Sequence, residues 1–141
     1  EKAMSTETLK PVRTVGLLTI IAGIVLMLGG ATTWFVVTDQ LKAANITVAE
    51  DASSFAGKRV AGPLTALSQA AIIDKHALEA AGGKTYAELD REDPVRTTAM
   101  NAAFLRSSLF TSVVAYGVAA FAAGMGLMLA LIGWALRRLA P

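Results

Sequence analysis

The sequence predicts an all-α membrane protein. Two transmembrane helices form a hairpin with both ends in the cytoplasm, and a small, mostly helical extracytoplasmic domain joins them. Three observations carry this. Two runs without any charged residue, 14–38 and 107–136, bracket the chain, and each exceeds the ~20 residues that cross a bilayer at ~1.5 Å rise per residue. Lys10 and Arg13 precede the first run and Arg137 and Arg138 follow the second, and positive charge beside a span stays cytoplasmic. The stretch between the runs is polar and almost neutral, with eight basic residues against nine acidic ones over 39–106, as suits a solvated domain.

Taken in order, residues 1–14 read as a cytoplasmic tail, 15–38 as the first span, 39–108 as the extracytoplasmic domain, 109–136 as the second span and 137–141 as a cytoplasmic tail. The setting this implies is the plasma (inner) membrane, with two passes. Met4-Ser5-Thr6 looks like a natural start, and Glu1-Lys2-Ala3 carries no meaning for the fold. The first span has a rival reading as a cleaved signal peptide, with a small-x-small site at Gly29-Gly30-Ala31. The apolar stretch 15–37 is longer than the ~7–15 residues of a signal core, so an uncleaved span is expected. Trp34 at one end of the first span, and Trp134 beside Arg137 and Arg138 at the end of the second, read as interfacial anchors.

Composition agrees with this division. Hydrophobic residues make up 54% of the chain and the mean hydropathy is +0.52, an average over two oily ends and a polar middle. The pI of about 9.2 is no nucleic-acid signal, because no face concentrates the basic residues. There is no cysteine, which excludes a disulfide framework, a thiol metal site and a redox pair.

Inside the spans the pattern is one of small residues. Gly16, Gly23 and Gly30 recur every seven residues, as do Ala119, Gly126 and Gly133. Seven residues is close to two helical turns, so each set forms a smooth stripe. Ala122, Gly126 and Ala130 add a small-xxx-small pattern at spacing four. In lipid, close backbone approach through small residues drives helix association. The stripes are expected to face each other as an antiparallel hairpin, with at least one also available to a partner. Neither span carries an Asp, Glu, Lys, Arg or His, so nothing in them marks a proton or ion path.

In the middle, 39–44 extends the first helix, Ile46-Thr47-Val48 is a short extended signal, and 49–62 reads as irregular. Pro63 opens a helical pattern that Gly82-Gly83 ends. Thr85 and Glu88 match a capping box for a short helix around 86–91. Asp93-Pro94 starts the last helix, and no breaker stronger than single glycines follows until about Leu139. A helix of that length runs about 70 Å, roughly twice the bilayer core. Its first part, 95–108, is therefore expected to be an exposed stalk whose apolar side is Met100, Ala103, Phe104 and Leu109, free to pack on the 63–82 helix or on a partner.

No catalytic, cofactor-binding or metal-binding residues emerge. His76 is the single histidine, with Glu79 as its one helical neighbour, short of the three or four ligands a metal needs. The acidic run Glu88, Asp90, Glu92, Asp93 lacks the order and central glycine of a calcium loop. Asn45-Ile46-Thr47 matches a glycosylation sequon. No nucleophile elbow or phosphate loop is present.

Several stretches together resemble a family of small two-span membrane proteins from actinobacteria. They are Ile46-Thr-Val-Ala-Glu-Asp51, Gly62-Pro-Leu-Thr-Ala66, Lys75-His-Ala-Leu78, Gly82-Gly-Lys-Thr-Tyr-Ala-Glu-Leu-Asp-Arg-Glu-Asp-Pro94, Phe104-Leu-Arg-Ser-Ser-Leu-Phe-Thr-Ser-Val-Val-Ala115 and Gly133-Trp-Ala-Leu-Arg-Arg138. Members often carry the name "aromatic ring-opening dioxygenase, LigA". The resemblance implies the topology and an actinobacterial source. The iron of a ring-opening dioxygenase needs several His and carboxylate ligands, which a chain with one histidine does not supply, so no catalytic residue is carried over.

The function expected from all this is non-catalytic. The chain reads as an accessory subunit of a larger membrane complex, with a respiratory-type host as the analogy. It would contact other integral membrane subunits and membrane lipids, and no nucleic acid. Gly16, Gly23, Gly30, Gly126 and Trp134 are the expected contacts in the membrane, and Phe104 with the 63–82 helix outside it. The alternative is a freestanding envelope protein whose extracytoplasmic domain binds a lipid or small ligand.

Overall fold

The computed structural model describes residues 6–140. The proposed start at Met4 and the first residues of the N-terminal tail lie outside them. The described chain is all-helical, with three α-helices and no strand: α1 (Thr6–Ala43), α2 (Pro63–Ala80) and α3 (Arg96–Leu139), plus one 3-10 turn at Tyr86–Glu88. Both long helices are apolar and long enough to cross a membrane. Within their most apolar windows only 17% of residues are buried, the reverse of a soluble protein's core helix.

The chain forms two compact units, one from residues up to Trp34 with those from Gly117 on, the other Phe35–Tyr116. The first unit is a pair of antiparallel helical segments. Its Gly16 meets Gly133, Gly23 meets Gly126 and Gly30 meets Ala119. Each step of seven along α1 is matched by a step of seven back along α3, so a single register holds throughout.

The second unit has its own core of Leu41, Val48, Val60, Ala66, Ala70, Leu109 and Tyr116. α1 runs on to Ala43, as the sequence suggests, and ends where Asn45 turns into the left-handed region at φ 53°, a conformation asparagine tolerates. The Arg59 guanidinium donates to the Lys42 carbonyl (2.5 Å) and to Asn45 Oδ1 (3.2 Å), setting a cation on the carbonyl end of the helix. The extended signal at 46–48 becomes a single antiparallel bridge, Thr47 with Arg59. Val48 N–H donates to Lys58 O and Val60 N–H to Ile46 O, both at 2.8 Å. The bridge drives Val48 and Val60 into the core at 1% and 0% exposure. The irregular segment beyond it is stitched to α2 by Ala49 N–H on Gln69 Oε1 (3.0 Å) and Ser68 Oγ on the Ser54 carbonyl (2.6 Å).

α2 begins at Pro63, its missing N–H costing nothing at that position. It ends in a glycine pair whose positive φ allows Gly83 N–H to reach back to Leu78 O at 2.7 Å. The Thr85–Glu88 capping box forms, but around one 3-10 turn rather than a helix to residue 91. Asp93 caps α3 through its carboxylate, which accepts from Val95 N–H at 2.9 Å, and regular helix starts at Arg96.

The first part of α3 is not a free stalk. Ala99 packs with Ala81 and Leu89, and Leu109 and Tyr116 enter the main core. Spacings of three and four link Ala99, Ala102, Arg106, Leu109, Val113 and Tyr116 along one face. Of the apolar side expected to pack, Leu109 is buried while Met100 and Phe104 are exposed, because they lie round the helix from that face. The core closes on a hydrogen bond between the Thr38 and Tyr116 hydroxyls (2.5 Å), which lets a buried tyrosine keep a polar partner.

Candidate functional site

Two surfaces have the make-up of functional sites, and each lies within one unit. The first is the helix-packing seam. A Cβ placed on Gly23 would stand 2.7 Å from Ala130 N and closer still to the Gly126 carbonyl oxygen. One on Gly126 would meet Met27 N at 2.7 Å, one on Gly133 would meet Ile20 N at 2.8 Å, and one on Gly30 would meet Ala123 N at 2.9 Å. Contacts that short are not accommodated by side-chain movement, so these positions admit only glycine while the backbones stay where they are. Gly29, Gly117 and Gly124 have nothing within 4 Å, which marks the seam as one face only. Gly16, Gly23, Gly30, Ala119, Gly126, Ala130 and Gly133 all lie on it. Ala122 is half-buried, and Ala123 supplies the contact to Gly30. At the end of the seam Arg137 lies along Gly16, and the Arg138 guanidinium stacks 5.3 Å over the Trp134 ring. Trp34 is partly exposed.

The second surface belongs to the Phe35–Tyr116 unit. Phe104 is 68% exposed and lines a shallow depression with Tyr86, Met100, Ala103 and Ser107. The Arg96 guanidinium stacks 4.5 Å over the Tyr86 ring. Beside this patch is a cleft of about 260 Å³ between α2, the 84–87 turn and α3, lined by Asp74, Ala77, Leu78, Lys84, Thr85, Tyr86, Ala87, Ala99, Ala102, Ala103 and Arg106. A larger cleft of about 360 Å³ lies between the C-terminal end of α1, the middle of α2 and residues 105–112 of α3, walled by Val37, Leu41, Ile46, Ile73, Leu105 and Leu109, with Gln40, Gln69, Ser108 and Ser112 as its polar groups.

Two polar side-chain pairs shape this unit. Asp74 on α2 accepts from Arg106 on α3 at 2.5 Å, both half-exposed. His76 Nε2 lies 2.5 Å from Asp51 Oδ2, so its partner is neither Asp74 nor Glu79 but a residue brought across from the irregular segment. Sequence spacing does not contain that pairing. The His76 hydrogen bond holds the Asp51 carboxyl below its ordinary value of 3.8. The Thr85 hydroxyl and N–H do the same for Glu88.

Asp51 has a lower pKa folded than unfolded, so its contribution is fully present above the ordinary carboxylate range and is lost as pH falls through the lowered folded value. Amide exchange in 49–57 is expected to accelerate on the acid side of pH 4 more in the wild type than in Asp51→Asn. Identical acid profiles would show that the pair does not hold the segment.

Among the described residues no group of three His, Cys, Asp or Glu side chains is placed to hold a metal. No family model, curated protein or solved structure matches this chain.

Proposed function

We propose that this protein is a non-catalytic accessory subunit of a larger membrane complex, inserted in the plasma membrane as a hairpin with residues 39–108 outside. The observation that carries the reading is the exposure of Phe104 with Met100 and Tyr86 beside it. Phe104 lies between Arg96 and Arg106, outside the uncharged run of α3, so lipid tails do not account for it. Phe104, Met100 and Tyr86 line one shallow depression, and a contiguous exposed apolar patch supports an interaction surface. The glycine seam supports the same reading differently. Gly16, Gly23, Gly30, Gly126 and Gly133 are used within the hairpin, which leaves Leu, Ile, Val and Phe side chains on its outer faces for lipid or for other subunits. Lys10 and Arg13 with Arg137 and Arg138 favour both ends inside. An actinobacterial source and a respiratory-type host rest on resemblance and analogy.

A photo-crosslinking residue at position 104 tests this in native membranes. One discrete adduct is expected there and none from position 58 on the exposed polar loop. No adduct at 104, or the same smear from both positions, would count against a defined subunit contact.

The second reading is a freestanding envelope protein whose outer unit binds a lipid or small ligand. The two clefts and the unit's own core favour it.

A further inference from the structure

We propose that the cleft between α2, the 84–87 turn and α3 is a binding site for a small organic anion, with a carboxylate or phosphate head on Arg106 and Lys84 and a short aliphatic body against the alanine wall. Five of its eleven lining residues are alanine. Any larger apolar side chain at Ala77, Ala99 or Ala102 would fill the space, so the void is written into the sequence. The cleft is smaller than the ~300–1,000 Å³ usual for drug-sized ligands, which restricts the body to a short chain. Its lining charges are Lys84 and Arg106 against Asp74, one positive charge in excess.

The head group follows from donor geometry. The hydrogen bond from Arg106 Nη1 to Asp74 Oδ1 engages one of the guanidinium's five N–H groups. Asp74 thereby fixes the arginine across the cleft while leaving donors of the planar fork to meet an anion, which it binds with two parallel hydrogen bonds. Lys84 adds a second cation from the turn held by the Thr85–Glu88 capping box. An apolar wall with a few converging polar groups is the make-up of a small-molecule site.

The proposal shares with the second reading only its premise that the outer unit takes a ligand, and it holds equally for a subunit within a complex. The full chain in neutral-lipid nanodiscs, labelled at alanine methyls, is titrated with hexanoate, hexyl phosphate and the uncharged isostere hexanamide. Saturable shifts at Ala77, Ala99 and Ala102 are expected from at least one anion, at least ~10-fold tighter than from hexanamide. Lys84→Gln, at an exposed position, is expected to weaken the anion by ~10-fold, and Ala102→Leu to abolish the shifts. Equal response to anion and amide, or shifts unaffected by Lys84→Gln, would overturn the anion site. Shifts confined to residues of the larger cleft, such as Ala44, would overturn it while leaving a ligand-binding outer unit standing.

Discussion

Gly126→Leu is expected to separate the two helices of the hairpin, at a cost of about 3 kcal/mol, the upper end of ordinary overpacking. A Cβ at 126 meets the backbone of α1 at Gly23 and Met27, and backbone cannot turn aside as a side chain does. Because helices in lipid gain little from the hydrophobic effect, loss of this close approach is not offset by burying more leucine elsewhere. Gly124→Leu is the matched control. It lies two residues away with nothing within 4 Å, and its effect should stay within about 0.5 kcal/mol. Denaturant titration in micelles, followed by energy transfer between labels at the two helix ends, separates the cases. Equal midpoints for the two variants would mean that Gly126 does not lie in the seam.

Val60→Asp is expected to unfold the Phe35–Tyr116 unit, at a cost of 4 kcal/mol or more. Val60 is fully buried in one cluster with Leu41, Val48, Ala66, Ala70, Leu109 and Tyr116, where a carboxylate has no partner and must be either stripped of water or protonated. Amide exchange at Val48 and Val60, and protease cleavage within 49–59, should both rise to the rate of an unprotected chain. Lys58→Gln, two residues earlier and exposed, should leave both unchanged. Protected amides in Val60→Asp would show that this loop is not part of the core.

What could be read from the sequence was whatever depends on local chemistry. The uncharged runs, the glycine period of seven, Pro63, the Gly82-Gly83 stop, the Thr85–Glu88 box and the Asp93 cap each act within a few residues, and each appears where its residues predict. What the sequence leaves open is decided where two distant segments meet. Met100, Ala103, Phe104 and Leu109 all look apolar along α3, and only the positions of α2 and the Thr47–Arg59 bridge select Ala99, Leu109 and Tyr116 as the buried face. His76 pairs with Asp51 rather than with a helical neighbour because the bridge folds the loop back over α2. The clefts were invisible for the same reason: alanines at 77, 99 and 102 read as good helix formers, and become a wall only when α2 and α3 come together. The charged stretch runs from Asp39 to Arg106, while packing into one compact unit extends from Phe35 to Tyr116.

The most direct test of a subunit role is to recover the tagged full-length chain from its native membrane in gentle detergent and weigh its companions by quantitative mass spectrometry. A subunit returns with one defined set of integral membrane proteins in fixed stoichiometry, and Phe104→Asp loses that set while the hairpin stays folded. Recovery as a compact monomer with lipid alone, unchanged by Phe104→Asp, would contradict the role and leave the outer unit and its clefts as the seat of function.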